Sequence, residues 1–245
     1  MTDTDQVMCK NCICKNNTLP RSCIEWIWAY REQLKLLDSF DAEAIHGISQ
    51  NNNWIDPKST QWNKFLTYYN LTRGYQRSLR GKSFDVFQNV QPILSTPLSC
   101  HASKINCLNT KWGDSVEAIG RLSKQTKNHV SPKYWSLTSK LMWFYYPNDM
   151  TMYDRDAAKG LAKILKSKYK KITHKKYLEK FEELFKDKQH CITQAAKFSD
   201  REYPYPRRVL DKWLWLQGRA NKNEIICRFM HALKMSPIKV ISKVD

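Results

Sequence analysis

Along the 245-residue chain, apolar side chains recur every three or four positions with charged and polar ones between them. Residues 22–40 carry Ile24, Ile27, Trp28, Leu34, Leu36 and Leu37 in this rhythm, the period of an amphipathic helix. A polar loop at residues 50–53 leads to a second predicted helix over 61–75, with Trp62, Phe65, Leu66, Tyr68, Tyr69 and Leu71. Residues 84–94 form a short apolar piece that Pro92 and Pro97 are expected to stop. Asp114 or Ser115 is then a candidate cap for a helix through Leu122, with Glu117 in its first turn.

The second half repeats the pattern more clearly. A helix is predicted over 132–146, ended by Pro147, and Asp154 opens another over 154–169. A third covers 175–188, where Tyr177, Leu178, Phe181, Leu184 and Phe185 share the apolar face and Glu179 and Glu183 are spaced for support one turn apart. Residues 209–216 and 223–234 complete the set. Strand-like alternation and internal repeats are nearly absent, so the expected class is mostly α. Residues 1–20 read as a cysteine-containing arm, and residues 21–245 as a single all-α unit with parts 21–120 and 121–245.

Charge divides the same two parts. The formal net charge is +18. Residues 1–120 hold 13 basic and 11 acidic side chains, whereas residues 121–245 hold 28 and 12. A positive field concentrated in one half attracts polyanions, and nucleic acid is the favoured partner through release of condensed counterions. A solubility charge without a partner is the plain alternative. The longest apolar run, Leu141 to Tyr146, is far too short for a bilayer span, and the acidic opening Met1-Thr2-Asp3-Thr4-Asp5 lacks the features of a signal peptide. A cytoplasmic protein that engages no membrane is expected, with no obligatory protein partner and a monomeric state.

Eight cysteines are too few for a disulfide scaffold, so free thiols are the default. Cys9 and Cys12 have the spacing of a zinc-binding pair, but neither Cys14 nor Cys23 supplies a matching second pair. Cys100, His101 and Cys107 are further candidate ligands, while Cys191 and Cys227 read as buried small hydrophobes.

One segment carries a chemical hypothesis. In Ser136 to Leu161 a lysine, Lys140, sits near the start of a helix among apolar and aromatic neighbours. Burial of an ammonium disfavours its charged form, and an amine is a usable nucleophile towards an electrophilic carbon. The helix stops at Pro147, and a short connection ends in Asp154 just before the next helix. A carboxylate there can accept that helix's free N–H groups. Beside a sugar it can stabilise the positive charge that builds as a glycosidic bond breaks.

This lysine, turn and Asp-opened helix resembles the helix-hairpin-helix DNA glycosylases, in particular the branch similar to 8-oxoguanine DNA glycosylase. Lys140 matches the lysine that attacks the sugar's anomeric carbon in that branch, and Asp154 the aspartate that activates the step. Met152-Tyr153-Asp154 matches the hydrophobic lead into that aspartate. The cadence Ser139-Lys140-Leu141, Phe144, Pro147, Tyr153-Asp154 is similar to bacterial members, some linked with defence against phage through attack on modified bases. The resemblance implies a bundle of two helical subdomains with a DNA-binding cleft, double-stranded DNA as partner, and no metal or organic cofactor. The family hairpin presents Gly-x-Gly amides to a phosphate, whereas Trp135 to Ser139 contains no glycine. The hydroxyls of Ser136, Thr138 and Ser139 are the expected substitutes. The cysteine loop that holds an iron–sulfur cluster in some relatives is absent.

Further phosphate contacts are expected from Lys159, Lys163, Lys166 and Lys170, spaced along one helix face, and from Arg207 and Arg208 after the Tyr203–Pro206 turn. An enzyme that acts on a duplex base must flip it out against aromatic surfaces, and Trp143, Tyr146 and Tyr153 are the candidates for that pocket. Ordinary roles account for the same residues one at a time. Asp154 is equally an N-cap, Asp156 competes with it for that place, Lys140 is equally a surface lysine, and an aromatic stripe is commonly core. The expected function is excision of a damaged purine or a phage-type modified base, in repair or anti-phage defence. The alternatives are a non-catalytic basic helical nucleic-acid-binding protein and, behind it, a toxin acting on RNA or membrane through the basic face.

Overall fold

The computed structural model describes residues 21–37, 67, 69, 83–98, 103–122, 133–168 and 172–235. They form eight α-helices and, among the described residues, no strand. The helices are α1 (Arg21–Leu36), α2 (Ser83–Ser95), α3 (Lys104–Leu122), α4 (Lys133–Tyr145), α5 (Arg155–Ile164), α6 (His174–Ala196), α7 (Pro206–Gly218) and α8 (Lys222–Met235). The mostly α expectation holds. None of these helices is long and apolar enough to cross a membrane.

The helices group into two compact units. In the first, α1, α5, α7, α8 and residues 180–196 of α6 pack together. Its core is built on α7, which lies against both α5 and α1. Trp26 of α1 stacks on Trp213 of α7 at 4.4 Å, and Trp28 faces Trp215 at 6.2 Å. The α5–α7 crossing is closer than side chains usually allow. A Cβ on Gly160 would overlap the Leu214 carbonyl, and one on Gly218 would overlap that of Asp156. Only glycine fits at either place.

The second unit holds α2, α3, α4, the connection to Asp154 and residues 173–179. Two helix limits here differ from the sequence-based expectation. α2 runs through Pro92, which is exposed and therefore gives up a backbone bond on the solvent side. Val86, Val90 and Leu94 recur every four residues and are buried, and that stripe holds the helix together. The carbonyls at its end are satisfied from elsewhere. Lys111 donates to Ile93 O and Thr96 O, and the Tyr146 hydroxyl to Leu94 O and Thr96 O.

α3 begins at Lys104, ten residues before the expected cap. Ser103 sits at its start, where its carbonyl accepts from Asn106 N–H at 2.9 Å. Asp114 and Ser115 lie mid-helix, because Leu108, Trp112, Ser115, Val116 and Ile119 form one continuous buried stripe. α4 follows its predicted span closely, and α6 starts within one residue of its own but runs eight residues further, to Ala196. α5 is shorter than expected. It closes at Ile164 with Lys166 at φ 50 and bonds from Ser167 N to Ala162 O and from Lys166 N to Lys163 O. That is a Schellman arrangement with lysine where glycine is usual. The helix predicted over 61–75 lies outside the described residues apart from 67 and 69.

Candidate active site around Lys140 and Asp154

α4 is enclosed over residues 137–144, all of which are buried, polar Thr138 and Ser139 included. Lys140 lies within this run and is only 5% exposed. Its ammonium donates to the Ser136 hydroxyl one turn earlier, at 2.5 Å. The surface-lysine reading of Lys140 is thereby excluded. Just past the helix end, Asp149 pairs with Lys104 at the start of α3, at 2.5 Å. That pair fixes the turn from which the chain returns to Asp154.

Ser139 ties the returning segment to α4. The Tyr153 N–H donates to Ser139 Oγ at 2.8 Å, and the hydroxyl faces the carbonyls of Ser136 at 3.1 Å and Tyr153 at 3.4 Å. These bonds join the neighbour of Lys140 to the neighbour of Asp154. Both ends of the tie are buried. Asp154 is half-buried and immediately precedes α5. Its sequence rival, Asp156, has a different employment. Burial alone would raise the Asp156 pKa, but bonds from Arg219 at 2.9 Å and Lys159 at 3.1 Å leave it below the ordinary 3.8.

Tyr153 belongs to a ring cluster that the sequence does not announce. It packs edge-on against Trp112 at 5.8 Å, Trp135 at 5.6 Å and Tyr177 at 5.1 Å. Trp112 and Trp135 also contact His174, at 5.3 and 5.5 Å. The His174 Nδ1 is buried without a hydrogen-bond partner, and burial pushes its pKa below the ordinary 6.5. His174 opens α6 in a run of lysines, and nothing in its spacing marks it for an aromatic environment.

Several expected contacts are buried or already bonded, although Lys163 and Lys166 remain exposed. Thr138 and Ser139 are fully buried, because α4 is surrounded on all sides, so their hydroxyls are not presented to a phosphate; Ser136 alone is part-exposed. Trp143 is fully buried beside Phe144 at 5.2 Å. Tyr146 spends its hydroxyl on the end of α2, and burial raises its pKa; that of its neighbour Tyr145 is pushed up to about 12 by burial and then by Tyr146. In the first unit, Lys159 pairs with Asp156, and Lys163 donates to Gln217 O at 2.9 Å. Arg207 pairs with Glu182 at 2.6 Å over the Phe185 ring, and Arg208 is 8% exposed and paired with Asp211 at 3.2 Å. Lys166 sits past the end of α5 rather than on its face, and Lys170 lies outside the described residues.

The cations that reach solvent overlap the expected set at Lys163 and Lys166. Arg155, Lys166, Lys168, Lys176, Lys186 and Lys197 are exposed, and among the described residues none of them makes an ion pair.

The cysteine expectations change in part. Cys107 is in a disulfide rather than a free thiol. Cys23, Cys191 and Cys227 are thiols outside any disulfide, and all three are half-exposed rather than buried. Cys9, Cys12, Cys14, Cys100 and His101 lie outside the described residues. Among the described residues no group of three or more His, Cys, Asp or Glu side chains is placed to hold a metal ion.

Comparison with family models, with curated proteins and with solved structures returns no match, so the chemistry of this chain rests on its own residues.

Proposed function

We propose that the chain is a DNA glycosylase that flips a modified base out of double-stranded DNA and cleaves its N-glycosidic bond. The architecture in this reading is the two-subdomain helix-hairpin-helix type that the Lys140–Asp154 segment resembles. The observation that carries it is a buried lysine whose neighbour is hydrogen-bonded to the residue before Asp154. A lysine held away from water is a poor structural choice and a good precursor of an amine nucleophile.

In the reaction, the C1′–N bond breaks and its electron pair leaves with the base. The Asp154 carboxylate stabilises the oxocarbenium-like sugar. Lys140, having passed its ammonium proton to the departing base, then bonds to C1′ through the freed lone pair; a second proton moves from the nitrogen to the ring oxygen as the C1′–O4′ bond breaks, giving a Schiff base. β-Elimination from that species cuts the strand. If water attacks instead, an abasic site is the product and Lys140 acts only as a positioned cation. The enzyme works as a cytoplasmic monomer without a metal or organic cofactor in this reading, in base excision repair or in defence against modified phage DNA.

Duplexes carrying 8-oxoguanine, glucosylated hydroxymethylcytosine or only unmodified bases test the proposal. Wild type is expected to release base from at least one, and borohydride is expected to trap a covalent adduct that Lys140→Ala abolishes. Asp154→Asn is expected to slow release by about 100-fold or more, the loss typical for removal of an electrostatic stabiliser. Full activity in Asp154→Asn would remove that residue from the mechanism. A non-catalytic nucleic-acid-binding protein is the second reading, favoured by the close packing of Trp143 and Tyr153 as core. It predicts binding without base release from any duplex.

A further inference from the structure

From the bonds at the α4 boundary we infer that Ser139 is a positioning residue for Asp154, an inference that rests on the glycosylase reading. Three observations support it. Ser139 is fully buried, so its hydroxyl has no role at the surface. It accepts the Tyr153 N–H at 2.8 Å and lies 3.4 Å from the Tyr153 carbonyl, gripping both polar groups of the residue before Asp154. It also lies 3.1 Å from the carbonyl of Ser136, whose own hydroxyl accepts from Lys140.

Residues 150–154 lie outside any helix, and the Met150 N–H bonds back to Tyr146 O at 2.8 Å. Directly before Asp154, the Ser139 side chain ties the Tyr153 backbone to α4. A buried Tyr153 N–H without that acceptor would have to find another or go unpaired. Either outcome moves the adjoining Cα, and a displacement of about 1 Å at a reacting group costs up to about 100-fold in rate. Lys140 is bonded along α4 itself and keeps its place when Ser139 changes. Ser139 is thus predicted to control the carboxylate rather than the amine.

The test is a double-mutant cycle on the full chain, with single-turnover base release from the three duplexes named above. Ser139→Ala is expected to slow release about 10- to 100-fold while DNA affinity stays within about twofold. In the Asp154→Asn background the same substitution is expected to change nothing, because the residue through which it acts is already disabled. Ser139→Thr keeps the hydroxyl and is expected to recover most of the rate. Hydrogen exchange at the Tyr153 amide is expected to quicken in Ser139→Ala and not in Ser139→Thr. If Ser139→Ala does not fold, Ser139→Cys, similar in size and a weaker acceptor, takes its place in the cycle. A rate within twofold of wild type, or equal losses in both backgrounds, would overturn the inference. Wild type that releases no base from any duplex overturns the glycosylase reading itself, and Ser139 falls with it.

Discussion

Lys140 and His174 are both ionisable side chains set against apolar surroundings, and each makes a measurable demand on the fold. Removing an ammonium from water costs several kcal/mol unless partners compensate. Lys140 is 5% exposed and bonded to Ser136, so Lys140→Met is expected to abolish the borohydride adduct while the chain still unfolds cooperatively in urea. A clear loss of stability would mean that the lysine is structural. His174 makes the opposite kind of demand, because its folded environment favours the neutral ring and its pKa lies below 6.5. Between that lowered value and 6.5 the unfolded chain binds more protons, so stability falls as pH drops through this window. Above 6.5 the histidine costs nothing, and below its folded value the loss levels off. His174→Phe keeps the ring contacts with Trp112 and Trp135 and is expected to flatten this part of the profile; urea midpoints on either side of the window measure it.

Among the helices, the closest association is between α5 and α7, and it depends on two glycines facing opposite backbones. Gly160→Ala and Gly218→Ala are each expected to cost about 2–3 kcal/mol by forcing the helices apart, read as lower urea midpoints with unchanged slope. The double variant is expected to cost less than the sum, since one displacement relieves both clashes. A neutral Gly160→Ala would show that the crossing can open freely. Helix existence was legible from sequence for every described helix except α2, whose residues read only as a short apolar piece, and helix limits were not. Pro92 looked like a stop because the pattern gives no weight to Val86, Val90 and Leu94 burying against a neighbour. Asp114 and Ser115 looked like a cap because both are good capping types, yet Trp112 and Val116 on either side of them bury the same helix face. The aid that lets α2 end properly, from Lys111 and Tyr146, comes from residues 15 to 52 positions away in sequence.

For the whole molecule, the net charge of +18 does not say which cations a polyanion would meet. Four of the cations expected to contact phosphate are engaged inside their own unit by Asp156, Gln217, Glu182 and Asp211. If about five of the exposed, unpaired cations contact phosphates, log Kobs for duplex DNA falls against log salt with a slope of about −4.5. Lys186→Ala and Lys197→Ala are expected to lower the slope by about one each if they are among the contacts, while Arg207→Ala lowers stability more than slope. Filter binding or fluorescence anisotropy across salt concentrations reads this directly, and a flat dependence would remove nucleic acid as the partner.

The sequence by itself determined the helical class, the position of α4 and its end at Pro147, the spacing of Lys140 from Asp154, and the concentration of charge in the second half. Those properties are local, because a helix answers to a period of 3.6 residues and to nearby prolines. Only the tertiary structure decided that Lys140 is buried, that Ser139 holds Tyr153 rather than a phosphate, and that Arg207 and Arg208 are already paired. It alone brought His174 against Trp112 and Trp135. Burial and pairing join residues distant in sequence, and no period along the chain records which side chain will meet which.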